Sequence, residues 1–253
     1  MKIIEGIKLN QAHKVALVTG ATGGIGEAIA ERLAKDGFAV AVHYSGNSQK
    51  ASALVEKIVS HGGHATSVQA DISDSASVKN MFDEVMQIKG SIDAVINSAG
   101  IMPMAKIEPD NIETFQKIVN TNLIGSYLVL SHAAQLVSNG GRIIAFSSSV
   151  VAKNFPGYGG YIASKLGVEG LVRVLANELK GRNIRVNSVA PGPTGTDLFY
   201  KGKTDEQIEW FKGQSPLGRI GTPEDIAEAV AVLVGPGGEW INGQILRVNG
   251  GFA

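Results

Sequence analysis

The stretch Thr19-Gly20-Ala21-Thr22-Gly23-Gly24-Ile25-Gly26 decides the fold class of this chain. It follows the mainly apolar run Lys14–Thr19 and leads directly into a segment of helical period, so the glycines lie at a strand–turn–helix junction. Gly20 permits a tight turn, Gly24 lets the backbone approach a pyrophosphate, and Gly26 lets the helix pack closely on a sheet. The helix N-terminus adds amides and a positive dipole, which favour an anion. We interpret the stretch as a dinucleotide-binding loop, with a turn that merely uses glycine as the alternative.

Short runs rich in Val and Ile alternate with segments of helical period along the rest of the chain. Strands are predicted at 14–19, 39–43, 65–69, 94–97, 142–147, 184–189 and 244–248. Helices are predicted at 24–36, 49–61, 75–89, 111–136, 160–180 and 222–234. Strands that are apolar on both faces and alternate with helices indicate a covered parallel sheet. The predicted fold is therefore α/β, a single Rossmann-like doubly wound parallel sheet of about seven strands with helices on both faces.

No linker, repeat or low-complexity segment divides the chain, so residues 1–253 are interpreted as one catalytic domain. The irregular Gly- and Pro-rich region 191–216 carries four aromatic side chains. Exposed loops seldom carry so many unless they close over something, so this region is predicted to be a substrate lid.

The composition bears on partners and location. Twenty-three basic and 23 acidic residues cancel, so no field is expected that would attract nucleic acid or an anionic membrane. The polar opening residues are unlike a secretory signal, and no apolar run approaches about 18 residues, which makes the cytoplasm the expected location. The chain has no cysteine. His61 and His64 lie in a turn with no third ligand nearby, so no metal site is expected.

Charged residues make up 18% of the chain, below the roughly 25% of an average soluble protein. Together with the long apolar helices predicted at 111–136 and 160–180 and an apolar ending, this low fraction predicts a homo-oligomer, specifically a homotetramer.

Further motifs point to chemistry. Tyr161 and Lys165 lie four residues apart on a predicted helix, so they share a face and can hold a phenol beside an ammonium. An ordinary tyrosine has a pKa of about 10, and a neighbouring cation favours the phenolate. Ser148 stands 13 residues before Tyr161, at the end of the fifth predicted strand. Asn122 lies in mid-helix, where an amide is a poor helix former and a chemical duty is more plausible than a structural one.

With the loop spacing G-x-x-x-G-x-G, these residues resemble the short-chain dehydrogenase/reductase family over essentially the whole chain. Within that family the sequence is similar to the 3-oxoacyl-carrier-protein reductase and ketoreductase group. The resemblance implies Tyr161 as the acid/base, Ser148 as the serine that orients the substrate, and Lys165 on the nicotinamide ribose. It implies that Asn122 holds a water linking the lysine to solvent. Ser149 remains an alternative to Ser148, because the offset varies within the family.

The loop and the resemblance together predict a set of cofactor-binding residues. They are Gly20, Thr22, Gly24, Ile25, Gly26, Tyr44, Ser45, Asn47, Asp71, Ile72, Asn97, Ala99, Gly100, Tyr161, Lys165, Pro191, Gly192 and Thr194. The stretch Asn97-Ser98-Ala99-Gly100 departs at Ser98 from the family's N-N-A-G. Thr194 is expected to hydrogen-bond the nicotinamide carboxamide.

The end of the second strand predicts NADP(H) in preference to NAD(H). An NAD site uses a carboxylate about 20 residues after the glycine loop to hold the ribose and repel a 2′-phosphate. No acid occurs between Asp36 and Glu56. Tyr44, Ser45 and Asn47 offer neutral donors instead.

The predicted function is hydride transfer between NADP(H) and a carbonyl or secondary alcohol, with ketone reduction favoured and a small molecule or acyl thioester as substrate. One alternative is an NAD-dependent alcohol or sugar dehydrogenase. Another is a catalytically silent dinucleotide-sensing scaffold, which would be expected to lack the tyrosine or the lysine. Four cations in or near the lid provide either a basic patch for a carrier protein or ordinary solvated charge; they are Lys201, Lys203, Lys212 and Arg219.

Overall fold

A computed structural model describes residues 13–253, and within them seven parallel strands form one sheet in the order β3-β2-β1-β4-β5-β6-β7. The strands are β1 (Lys14–Thr19), β2 (Phe38–Tyr44), β3 (His64–Gln69), β4 (Ile92–Asn97), β5 (Val137–Phe146), β6 (Arg185–Pro191) and β7 (Ile245–Val248). The chain reverses its direction of winding between β1 and β4, where ligands bind in open α/β sheets. The predicted doubly wound sheet is confirmed.

Helices cover both faces of the sheet. They are α1 (Gly24–Lys35), α2 (Ser48–Ser60), α3 (Ser75–Lys89), α4 (Ile112–Ile118), α5 (Gly125–Leu136), α6 (Gly159–Glu178), α7 (Asp197–Tyr200), α8 (Asp205–Gly213) and α9 (Pro223–Val234). Buried residues of α3, α5 and α6 form the core on one face, and those of α1, α2 and α9 form the core on the other. No helix in the part of the chain described is long and apolar enough to cross a membrane.

Strand β1 shows why the strands are apolar on both faces. Val15 and Leu17 belong to the core beneath α3, α5 and α6, whereas Ala16 and Val18 belong to the opposite core. All four are fully buried. Burial of a side chain of the size of leucine contributes about 2 kcal/mol, so neither face of β1 tolerates polar substitution well.

The helix predicted at 111–136 is present over residues 112–136, but it is not a uniform α-helix. The segment contains α4, a π-helical turn at Val119–Ile124, and α5. The wider turn directs the side chain of Asn122 inward, where its amide hydrogen-bonds to the backbone of Ile101. Ser126 donates to the Asn122 carbonyl at 2.6 Å, which satisfies a backbone acceptor at this irregular turn.

The prediction of an irregular stretch at 191–216 is wrong in part, because α7 and α8 lie within it. Thr196 and Thr204 cap the two helices, and Thr204 forms a capping box with Gln207. Strand β5 begins at Val137 rather than at 142, since Val137 pairs with Ile92 ahead of an irregularity in the register. The other boundaries differ from the predicted ones by at most two residues.

Candidate active site

The glycine-rich loop between β1 and α1 is tightly packed. Gly20 has a φ of 66°, and a Cβ atom built there would lie 2.8 Å from the Cα of Ala99. A Cβ atom on Gly26 would lie 2.2 Å from the carbonyl oxygen of Gly20. Both positions therefore require glycine. Thr22 is half-buried, and Gly24 is exposed at the N-terminus of α1, as a phosphate-binding loop requires.

The ends of β1 and β4 are joined by side chains. Thr19 donates to the Oδ1 of Asn97 at 2.7 Å, and the Nδ2 of Asn97 donates to Ser126 at 2.9 Å. The oxygen and the nitrogen of the Asn97 side-chain amide are thus both engaged within the protein, immediately before the segment that contains Ala99. Ser98, the departure from the family pattern, donates to the backbone carbonyl of Thr19, so the hydroxyl is accommodated locally.

Three consecutive serines follow β5, and the structure separates them. Ser147 is buried and donates to Glu169 at 2.7 Å. Ser149 is buried and donates to the carbonyl of Ala190 at 2.8 Å. Ser148 lines a cavity and hydrogen-bonds to the phenol of Tyr161. The geometry favours Ser148 over Ser149 as the residue able to contact a substrate.

Tyr161 and Lys165 lie in the first turns of α6. The Nζ of Lys165 lies 5.6 Å from the centre of the Tyr161 ring and donates to the carbonyl of Phe146 at 2.9 Å. An ammonium has three donor hydrogens, so this buried group can still donate to a ligand. Burial lowers the pKa of Lys165 to about 8.

Burial is also the main effect on Tyr161, whose pKa it raises to about 12. The hydrogen bond from Ser148 acts against this rise in pKa, and the neighbouring Tyr158 adds to it. The lysine is expected to favour the phenolate, yet here the pKa of Tyr161 is raised, because desolvation of the phenolate dominates. A phenol with a raised pKa stays protonated at neutral pH, which is the form that can donate a proton to a carbonyl.

Asn122 is fully buried beside this pair. Its Oδ1 accepts from the amide of Ile101 at 2.8 Å, and its Nδ2 donates to Ser164 at 3.2 Å. A Cβ atom built on Gly100 would lie 3.2 Å from Asn122 Oδ1 and 3.5 Å from Lys165 Nζ, so both groups lie close to Gly100. The water relay between Asn122 and Lys165 stays a prediction.

Thr194 lies at the far side of the same cavity. It is buried and donates to the carbonyl of Gly192 at 3.0 Å, which leaves its oxygen free to accept from an amide such as a carboxamide. Ile25 and Pro191 line this cavity too.

The predicted adenosine-side residues lie after β2 and β3. Asn47 caps α2 by accepting from the amide of Lys50 at 2.9 Å, and Ser45 is exposed while Tyr44 is half-buried. Asp71 accepts two hydrogen bonds from Ser73, which are the main cause of its lowered pKa.

Sequence reasoning missed several residues of the site. Two adjoining cavities of about 140 and 80 Å³ share Ser148 in their walls. The smaller is mainly apolar and includes Met102, Phe155 and Tyr158, none of which was predicted. Tyr158 lies three residues before Tyr161, at the position that precedes α6, and no motif in the sequence pointed to it.

A larger groove of about 860 Å³ lies between α1, α2 and α9 and shares only Gly24 with the predicted site. Its charged side chains are largely paired, Lys57 with Glu31 at 2.5 Å among them. Within residues 13–253, no group of three or more side chains that could hold a metal ion occurs.

The chain is similar over most of its length to several known proteins. A profile of the family described as "Enoyl-(Acyl carrier protein) reductase" matches residues 20–253. An Arabidopsis thaliana protein described as an "NADPH-dependent aldehyde reductase-like protein, chloroplastic" is 40% identical, with 95% of this chain and 94% of the relative covered. A 3-oxoacyl-[acyl-carrier-protein] reductase of Staphylococcus aureus is also 40% identical, with 94% and 98% covered.

Among solved structures, a short-chain dehydrogenase of Burkholderia cenocepacia in complex with NADP superposes with a TM-score of 0.89 at 34% identity, covering 96% of this chain and 99% of the other. The chain belongs to the short-chain dehydrogenase/reductase family of oxidoreductases.

Proposed function

We propose that this protein reduces small, uncharged aldehydes or ketones with NADPH. The observation that carries the proposal is that Ser148, Tyr161 and Lys165 line one cavity, which opens beside the glycine-rich loop. The residues present fit a nicotinamide dinucleotide, since Lys165 is buried with donor capacity to spare and Thr194 offers an acceptor. The bound reduced cofactor would supply a hydride to the carbonyl carbon.

The side chains then have separate duties. Ser148 donates to the carbonyl oxygen, and Tyr161 transfers its phenolic proton to that oxygen as the bond to carbon forms. Lys165 binds the ribose hydroxyls and places its positive charge beside the phenolate that remains. Asn122 helps to return a proton to Tyr161 through a water, and Asn97 holds the loop that carries Ala99 and Gly100.

The cavity wall favours an apolar substrate. Phe155 lies within 6.3 Å, centre to centre, of Trp210, Phe211 and Phe252, and these rings join α8 to the pocket. The predicted lid 191–216 therefore presents aromatic surface over the substrate, and we propose that it closes when substrate binds.

The cations of the lid support a free carbonyl compound over a carrier-bound one. Lys203 lies 4.7 Å from the centre of the Phe199 ring, and burial lowers its pKa. Lys212 pairs with Glu209, and Arg219 pairs with Asp225, so their charges are locally compensated. Lys201 stays exposed. An acidic carrier protein would thus meet little uncompensated positive charge here.

A direct comparison of substrates tests this proposal. We expect kcat/KM for an aromatic aldehyde or ketone to exceed that for a 3-oxoacyl thioester on its carrier protein by about tenfold or more. NADPH consumption, followed by absorbance, measures both. The same thioester on a short pantetheine arm separates the effect of the acyl chain from that of the carrier. A clear preference for the carrier-bound form would overturn the substrate assignment, and no turnover of any carbonyl would overturn the reductase itself.

The cofactor preference gives a second prediction. With no carboxylate after β2, NADPH is expected to be preferred to NADH by about tenfold in kcat/KM, or about 1.4 kcal/mol. The preference stays moderate because Lys50 lies 4.0 Å from Asp197, which partly offsets its charge. Ser45→Asp introduces the missing carboxylate and is expected to reverse the preference, with Ser60→Asp at the exposed end of α2 as the control. Equal use of both cofactors by the unaltered enzyme would contradict the prediction.

The predicted homotetramer is likewise a proposal. Apolar side chains are exposed on α4, the π-helical turn, α5 and α6; they are Ile112, Phe115, Ile124, Tyr127, Leu166 and Val174. We expect light scattering to give about four times the 26.5 kDa of one chain at micromolar concentration. A double variant, Tyr127→Glu with Val174→Glu, is expected to lower that mass, whereas Val59→Glu on α2 serves as an exposed apolar control. A single-chain mass for the unaltered protein would refute the proposal.

The cytoplasmic location also stays a prediction.

A further inference from the structure

His43, at the end of β2, ties three strand ends together. Its Nδ1 accepts from the backbone amide of Gly20 at 3.0 Å, and its Nε2 faces the carbonyl of Ala70 at 3.0 Å. Its own backbone carbonyl accepts from the amide of Ala21 at 3.1 Å. The side chain is 2% exposed. One buried imidazole therefore links the first turn of the glycine-rich loop to β2 and to the residue after β3.

These partners fix the protonation state of the ring. The Gly20 amide can only donate and the Ala70 carbonyl can only accept, so Nδ1 must carry a lone pair and Nε2 must carry the hydrogen. If Nδ1 were also protonated, its N–H would point at the N–H of Gly20. The hydrogen bond would be lost, and two donors would face each other. The neutral ring alone satisfies both contacts.

The surroundings of the ring favour this neutral form. Burial is the main cause of the lowered pKa of His43, and the hydrogen bond to Ala70 and the charge of Asp71 act in the opposite direction. The glycine-rich loop and the rest of β2 contribute no charged residue. At the start of α3, on the same face of the sheet, Asp74 caps the helix through its carboxylate and Lys79 pairs with Asp83.

We propose that His43 is a positioning residue that holds the glycine-rich loop in its dinucleotide-binding conformation, and that it does so only while neutral. Gly20 has a left-handed backbone conformation and a close contact with Ala99, which together restrict the turn to a single conformation. The hydrogen bond from Gly20 to His43 supports that conformation. Protonation of His43 would release the Gly20 amide and weaken dinucleotide binding. The inference rests on the proposed function, since it assumes that a dinucleotide occupies this loop.

Two substitutions separate the hydrogen bond from the titration. In His43→Asn, the Oδ1 stands at about the position of Nδ1 and can accept from Gly20, yet it cannot be protonated. In His43→Leu, the acceptor is lost. We expect His43→Leu to weaken NADPH binding by about tenfold, the size expected when a buried amide loses its acceptor, with a larger effect on KM for NADPH than on kcat. His43→Asn should restore most of the affinity.

The decisive measurement is the Kd of NADPH and of NADH, from protein fluorescence, between about pH 7.5 and about pH 5. Both cofactors are needed because the 2′-phosphate itself titrates near pH 6. The ratio of the unaltered protein's Kd to that of His43→Asn should rise by about tenfold as pH falls. Because the pKa of His43 is lowered in the folded protein, the free energy of unfolding decreases below about pH 6.5. Circular dichroism at each pH therefore shows whether the protein is still folded, and only those pH values are compared.

The outcomes distinguish the two proposals. If the unaltered protein binds neither NADPH nor NADH, the proposed function falls and this inference falls with it. If it binds both and the Kd ratio to His43→Asn stays constant with pH, the inference alone is overturned. A His43→Leu variant with unaltered affinity would do the same, and if that variant does not fold, the pH comparison with His43→Asn decides the matter.

Discussion

Tyr161→Phe is expected to lower kcat by about 10²–10⁴-fold while leaving the Kd of NADPH nearly unchanged. The substitution removes the oxygen that hydrogen-bonds to Ser148 and keeps the ring that packs beside Lys165. Only the proton donor is lost, so the effect should fall on the chemical step. Steady-state rates and fluorescence titration with NADPH measure the two quantities separately.

Tyr158→Phe is the matched comparison, because it removes a second phenol from the neighbouring cavity without removing the proposed acid. We expect its effect on KM for the carbonyl substrate to exceed its effect on kcat. If Tyr161→Phe kept more than a few per cent of the unaltered kcat, general acid catalysis by Tyr161 could not stand.

Lys165→Met is expected to reduce both kcat and cofactor affinity, each by about tenfold or more. Lys165 is buried, and the proposed ribose contacts use the donors that its bond to Phe146 leaves over. Loss of the ammonium removes those contacts and the charge beside Tyr161 together. If the variant bound the cofactor with unaltered affinity, the proposed contact between Lys165 and the ribose would be wrong.

The pH profile of the unaltered enzyme follows from the same residue. Burial lowers the pKa of Lys165 to about 8, so the ammonium is present below that pH and is lost as pH rises through it. We therefore expect kcat/KM for NADPH to fall above about pH 8. Lys165→Arg keeps its charge at every accessible pH, and whatever activity it retains should show no such decline. If kcat/KM of Lys165→Arg fell with the same pH midpoint, the titrating group would be a residue other than Lys165.

The strands and most helices were predictable because their signals are local. Helix α3 begins after Asp74, which caps it, and ends at Lys89, immediately before Gly90, whose φ of 78° only glycine adopts readily. Helix α8 had a comparable signal, the capping box of Thr204 and Gln207, which was overlooked. The π-helical turn at Val119–Ile124 had no such signal, and the backbone of Ile101 to which Asn122 bonds there lies 21 residues away.

The features of the site also differ in whether the local sequence could predict them. Tyr161 and Lys165 form a motif within one helix, which the sequence displays directly. Ser149 differs from Ser148 through its contacts with Ala190 and Asn249, which lie 41 and 100 residues further along the chain. The raised pKa of Tyr161 depends on burial, which no pattern of neighbours in the sequence reports.

The central strand pair also has a kinetic consequence. Thr19 bonds to Asn97, which lies 78 residues further along the chain, and closing so long a loop costs conformational entropy before any contact compensates for it. The close contact between Gly20 and Ala99, which shapes the glycine-rich loop, forms only when β1 and β4 have paired. A dinucleotide can therefore stabilise the product of this step but cannot guide the chain toward it. Refolding should be no faster when the dinucleotide is present from the start, whereas unfolding should be slower, because the ligand lowers the free energy of the native state alone.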